Sequence, residues 1–111
     1  MSRQVTAGLN FALAGYPYWT SDIGGYRQPN NRPPDDAEYQ QLYARWFEFG
    51  TLCPVFRSHG HRVHNEMWNY DKVEPILINF DKLRCRLPYI YSLARSVHQD
   101  DSTIQWPLVV D

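Results

Sequence analysis

Apolar residues recur at Val5, Leu9, Ala12 and Leu13, a helical spacing over residues 3–13, and Gly15 reads as the stop. The run YPYWTSDIGGY, residues 16–26, is rich in strand formers and ends at Gly24-Gly25, so Asp22 falls at or just past a strand's C-terminal end. Residues 27–36, RQPNNRPPDD, predict a surface loop in which Asp35 or Asp36 caps the next helix and Glu38 sits in its first turn. Tyr39, Leu42, Tyr43, Trp46 and Phe47 form one stripe, the mark of an amphipathic helix over 37–49, with Gly50 as its C′ residue. TLCPVFR, residues 51–57, predicts a short apolar strand whose end carries Arg57, Ser58 and His59, then Gly60. Residues 61–71 read as a polar loop. The helical period returns from Val73 to Val97 through Ile76, Leu77, Phe80, Leu83, Leu87, Ile90, Leu93 and Ala94, with a kink or break expected at Pro88. Residues 98–103 predict a turn, and IQWPLVVD, residues 104–111, the start of another strand.

Strands alternating with helices imply an α/β fold with a parallel sheet, whose C-terminal edge is where sites form. Asp22, Arg57 and His59 all collect at such an edge. Two strands make no stable parallel sheet by themselves, and a (β/α) barrel takes about 250 residues. The 111 residues therefore read as a slice of a larger domain, opening in mid-helix and closing in mid-strand.

Composition narrows the function classes. The net charge is −1, from 11 Lys+Arg against 12 Asp+Glu, which argues against a nucleic-acid partner. No apolar run approaches the roughly 20 residues of a membrane span, and the first residues carry no visible signal peptide. The two cysteines, Cys53 and Cys85, are too few for a disulfide scaffold and read as buried free thiols. Aromatics make up 15% of the chain, enough to fill a core and to furnish platforms for sugar rings.

Three local constellations carry chemistry. In HGHRVH, His59, His61 and His64 resemble the HxHxDH run of metallo-β-lactamase-type zinc hydrolases, although Val63 stands where that run has Asp; the alternative is that His61 and His64 are exposed loop residues. Asp22 before Ile23-Gly24-Gly25 reads either as a ligand-binding carboxylate beside a close-approaching backbone or as an Asp bonding its own turn. Arg57 and His59, two apart on a strand end, point to one face and can bind sugar hydroxyls or a carboxylate. Arg57 can equally be paired with a nearby acid.

Four ordered blocks resemble one family: G-Y-P-Y-W-T-S-D-I-G-G-Y, L-Y-A-R-W-F-E-F-G-T-L-C-P-V-F-R-S-H-G, E-M-W-N-Y and L-R-C-R-L-P-Y-I-Y-S-L-A. They resemble the C-terminal part of the catalytic barrel of glycoside hydrolase family 31, which contains α-glucosidases and α-xylosidases. The P-Y-W-T-S-D-I-G-G wording is most similar to the α-xylosidase branch. The resemblance implies a fragment of a (β/α)₈ TIM barrel, its last two βα units, followed by a β-domain. Residues 16–23 would be strand seven, 37–49 helix seven, 51–57 strand eight and 73–97 helix eight. Residues 1–103 would be barrel, and 104–111 the lead into the β-domain or a linker. Trp106 departs from the pattern, since family members usually carry Arg before that Pro-Leu.

The resemblance further implies a retaining α-glycosidase acting on terminal α-xylosyl or α-glucosyl residues of an α-linked oligosaccharide or glycoside, with no cofactor and no metal. It puts the Asp nucleophile and the Asp acid/base before Met1, so this chain carries neither catalytic residue. What matches is the substrate-binding shell. Asp22 orders the −1 subsite, His59 bonds a hydroxyl of the −1 sugar with Arg57 in support, and Tyr26 lines the channel toward +1. Trp19 and Trp68 are candidate pocket walls. The rival readings are a zinc-dependent hydrolase using His59, His61 and His64, and a non-catalytic carbohydrate-binding module.

Overall fold

The computed structural model describes residues 1–27, 36–61, 64–85 and 87–108. Helix α1 runs Ser2–Leu13. It ends as the sequence predicts: Gly15, at φ 85°, donates to the Ala12 carbonyl and Tyr16 to the Phe11 carbonyl, while the Tyr16 ring packs edge-on against Phe11. This is a Schellman closure, with glycine in the left-handed position and an apolar contact sealing it.

Helix α2, Ala37–Thr51, starts where the carboxylate of Asp36 accepts a hydrogen bond from the Tyr39 backbone N–H at 2.9 Å. Asp35 lies outside the described residues. Tyr39, Tyr43, Trp46 and Phe47 are buried as the stripe predicts, but Leu42 is 40% exposed, because it sits at the margin of the buried arc. Gly50 is not the C′ residue: α2 continues through Thr51. The glycine is closely packed instead: a Cβ there would meet Ile23 at 3.1 Å and Phe56 at 3.3 Å.

A single 3₁₀ turn, Met67–Asn69, interrupts the expected loop. The predicted long helix is divided into α3, Glu74–Arg84, and α4, Leu87–Asp100. Pro88 is the second residue of α4, where its missing N–H costs nothing; a continuous helix would drive its ring into the Arg84 carbonyl. Arg84 closes α2 rather than α3's own end. Its guanidinium donates to the carbonyls of Thr51 (3.2 Å), Cys53 (2.7 Å) and Pro54 (2.9 Å), and lies over the Phe56 ring. Helix α4 also consumes residues 98–100 of the predicted turn and stops at Asp101, φ 51°.

The core joins α2 to the segments beside it: Ile23, Tyr39, Tyr43, Trp46, Phe47, Tyr70, Val73 and Leu77, with Phe49, Phe56, Met67 and Phe80 packed around them. Tyr43 and Tyr70 stack at 3.8 Å. Cys53 is buried, but Cys85 is exposed just past the end of α3; both are free thiols.

No strand forms among the described residues, contrary to the expectation for 16–26, 51–57 and 104–108; residues 109–111 lie outside them. What exists is a parallel alignment with one isolated bridge, Ile23 to Ser58. Ile23 N–H donates to the Arg57 carbonyl at 3.1 Å, and the Thr20 hydroxyl donates to the Val55 carbonyl at 2.6 Å. Thr20–Val55, Asp22–Arg57 and Ile23–Ser58 share one offset of 35 residues, so the two extended segments run parallel and in register. Pro17 and Pro54 have no N–H to give, and a hydroxyl stands in for one ladder bond, which leaves the pairing short of a ladder.

Candidate functional site

The parallel segments end together and bring Asp22 beside Arg57. Nε and Nη2 of Arg57 both donate to Oδ1 of Asp22, at 2.9 and 2.6 Å. Thus the acid that Arg57 pairs with is Asp22 itself, and the carboxylate bonds a neighbouring side chain rather than its own turn. Among the described residues Oδ2 accepts no hydrogen bond. The Asp22 side chain is only 15% exposed and that of Arg57 56%, so the carboxylate is held from the solvent side by a cation that water still reaches.

Beyond Asp22 the chain reverses through Gly24 and Gly25, at φ 80° and 87°, with Gly25 N–H donating to the Asp22 carbonyl at 2.8 Å. Tyr26 then lies against both His59, ring centroids 5.2 Å apart, and His61, 5.7 Å. The His61 backbone N–H donates to the Tyr26 carbonyl at 2.9 Å, tying the two loops together. A cleft of about 350 Å³ opens between Trp19, Asp22, Tyr26, Trp46 and Arg57, with Gln4 of α1 at its edge. A carboxylate, a guanidinium and aromatic faces in one cleft can bind hydroxyls and the apolar face of a ring together.

Of the residues predicted from sequence, Asp22, Arg57, Tyr26 and Trp19 line this cleft, whereas His59 does not line it but lies against Tyr26. Trp19 stacks on Phe11 at 4.7 Å and fills the space beside Gly8, where a Cβ would meet its ring at 2.5 Å. Trp68 does not join them: it sits on the 3₁₀ turn, 71% exposed.

Sequence reasoning missed Asn65. It is buried in what reads as a polar loop, and its Nδ2 donates to the Ile23 carbonyl at 2.7 Å. Tyr39 donates to the Gly24 carbonyl at 3.0 Å, and Tyr43 to the Asn65 carbonyl at 2.9 Å. These hydroxyls lie on a stripe read only as apolar core, and no spacing rule separates a lone buried Asn from a solvated one. Burial pushes the Tyr43 phenol up to about 12.

The family model described as the glycosyl hydrolases family 31 TIM-barrel domain matches residues 1–93. The chain belongs to glycoside hydrolase family 31. An α-xylosidase of Saccharolobus solfataricus is 40% identical over 113 residues, covering all of this chain and 15% of the relative. Alpha-xylosidase A of Aspergillus niger is 32% identical over 126 residues, covering all of the chain and 17% of the relative. Among solved structures, a family 31 α-xylosidase from Xanthomonas citri superimposes with TM-score 0.84 at 38% identity, over 95% of this chain and 12% of that one. The family 31 chain thus spans about one-sixth of the length of these curated relatives.

Membership in family 31 displaces the zinc reading. Among the described residues no three His, Cys, Asp or Glu side chains gather as a metal-holding group. His59 and His61 face Tyr26, whereas His64 is exposed and lies 4.0 Å from Glu66. None of the described helices is long and apolar enough to cross a membrane.

Proposed function

We propose that this chain is the substrate-binding part of a retaining α-glycosidase that removes terminal α-xylosyl residues from α-linked oligosaccharides or glycosides. In this reading residues 1–103 are the last two βα units of a TIM barrel. The in-register segments around Thr20–Ile23 and Val55–Ser58 are strands seven and eight, and residues 104–111 lead into a β-domain. The nucleophile and the acid/base belong to polypeptide before Met1. The observation that carries the reading is the pairing of Arg57 with one oxygen of Asp22 at the mouth of an aromatic cleft in a family 31 chain.

The chemistry follows from the geometry. Retaining hydrolysis passes through an oxocarbenium-like transition state between two carboxyl groups about 5–5.5 Å apart. Hydroxyl hydrogen bonds that strengthen as the ring flattens lower that barrier selectively. Asp22 offers Oδ2 to a sugar hydroxyl while Arg57 holds Oδ1. His59 offers a second bond at the −1 sugar, and Tyr26 and Trp19 present faces to the pyranose and to the +1 side. Xyloside over glucoside is favoured because the α-xylosidases named above resemble the chain along its whole length. A glucoside adds a CH₂OH group that the pocket must accommodate.

The test is kinetic. In the complete enzyme, kcat/KM for 4-nitrophenyl α-xyloside should exceed that for the α-glucoside. Tyr26→Ala should raise KM for an oligosaccharide more than for the aryl xyloside, since the lost face lies on the leaving-group side. Equal effects on the two would remove Tyr26 from the +1 side. A protein inactive on both glycosides would sink the reading.

A further inference from the structure

We infer that Asn65 is a positioning residue for the Asp22 carboxylate, acting through the backbone of the turn that carries it. The inference rests on the glycosidase reading above and deepens it. Asp22 is followed by a turn of three carbonyls, and each has one assigned donor. Gly25 N–H takes the Asp22 carbonyl, Asn65 Nδ2 the Ile23 carbonyl and the Tyr39 hydroxyl the Gly24 carbonyl. Two of those three donors come from outside the turn, and both are buried side chains.

Proton bookkeeping fixes the amide. A tyrosine hydroxyl has one hydrogen, and that of Tyr39 goes to Gly24 at 3.0 Å rather than to Asn65 Oδ1 at 3.5 Å. The Ile23 carbonyl can only accept, so the amide atom facing it is the Nδ2 donor, and Oδ1 accepts from Tyr70. The Asn65 carbonyl accepts from Tyr43 and Ser58, so its backbone is anchored as well as its side chain. No slack remains beneath the turn: a Cβ on Gly24 would lie 2.7 Å from the Tyr39 oxygen, 2.8 Å from Tyr43 and 3.1 Å from Asn65 Nδ2. Arg57 fixes the carboxylate from the exposed side, and the Asn65 amide fixes the peptide units from the buried side. An amide suits the second task because it supplies a donor for Ile23 and an acceptor for Tyr70 from two separate atoms without burying charge.

The test is a double-mutant cycle in the complete enzyme, with 4-nitrophenyl α-xyloside as the probe. Asn65→Ala should lower kcat/KM roughly tenfold to a hundredfold, the scale of a small misplacement of a binding group. In an Asp22→Ala background the same change should cost less than about threefold, because the group it positions is gone. Tyr70→Phe, which removes one donor and keeps the ring that stacks on Tyr43, should show a smaller loss that likewise vanishes in that background, and it carries the test if Asn65→Ala does not fold. Losses that multiply to within about twofold would overturn the inference and make Asn65 structural. An Asp22→Ala enzyme with unchanged kcat/KM would instead overturn the substrate-site reading, and the inference with it.

Discussion

At the scale of single residues, the site separates bonds made for stability from bonds made for geometry. The Asp22–Arg57 pair is too exposed to hold the fold together, since pairs that water reaches contribute about 0–1 kcal/mol. Its consequence is that one carboxylate oxygen is occupied while the other, among the described residues, accepts no hydrogen bond. His59 is judged by the same standard. His59→Ala in the complete enzyme should lower kcat/KM by roughly 10²–10³, the cost of one transition-state donor, while His64→Ala should leave it nearly unchanged. A loss below threefold at His59 would make it peripheral. Tyr43 gives a separate, pH-dependent prediction. Its phenol is raised from 10.0 to about 12, mainly by burial, so the folded protein keeps its proton where the unfolded chain gives it up. The stability this proton contributes is fully present below pH 10 and is lost as pH rises through about 12. Phenolate absorbance followed together with unfolding should show alkaline denaturation in that window, and Tyr43→Phe should flatten it.

At the scale of elements, α2 and the loop Cys53–Ser58 support the cleft from behind. Arg84, on α3, gathers three carbonyls at the end of α2, and so fixes where the second parallel segment begins. Gly50 lets α2 approach Ile23, the residue after Asp22. Two effects compete in Gly50→Ala. Helix propensity favours alanine by about 1 kcal/mol, whereas forcing a methyl into packed side chains costs about 1–3 kcal/mol. Ile23 is buried and has little room to retreat, so crowding wins. In the complete enzyme a lower thermal midpoint and a raised KM should appear together. A midpoint that rises would show that Ile23 yields and that the contact is slack.

At the scale of the whole molecule, the 111 residues are more extended than a finished domain. The radius of gyration is 15.0 Å, against about 13 Å for a compact domain of this length. Large apolar side chains remain exposed on several elements, among them Leu52, Ile76, Tyr89, Tyr91 and Leu108. A groove of about 590 Å³ lined by Leu9, Phe49, Leu83, Ile90, Leu93 and Ile104 is also open. Exposed apolar surface of this kind promotes association, and a short parallel pairing leaves open edges. Residues 1–111 purified alone should therefore hydrolyse neither aryl α-xyloside nor aryl α-glucoside, and should aggregate or melt without cooperativity. Turnover that survives repurification, or a sharp melt of a monomer, would mean that the segment is a working domain.

The helices, the start of α2, the stop after α1 and the family were legible in the sequence. Helical period, the Asp36 cap and the glycine after α1 are local properties, written within a few residues, and they appear where the pattern puts them. The division at Pro88 was equally local, although the break falls ahead of the proline because the ring acts on the turn before it. Asp22 and Arg57 drew notice in the sequence as polar groups after apolar runs, and Tyr26 and Trp19 only through the family resemblance; the cleft that they share was not readable from either. Tertiary structure alone decided what lies far apart in sequence. The strands reduce to an in-register parallel alignment because ladders depend on neighbours and not on propensity. Cys85 and Leu42 face outward, and Trp68 stands away from the cleft, because burial depends on what packs opposite. Asn65 became visible only when the fold set its amide 2.7 Å from the Ile23 carbonyl, 42 residues away. A hydrogen bond across that separation has no local signature, since its partners are chosen by the path of the chain and not by the residues on either side of them.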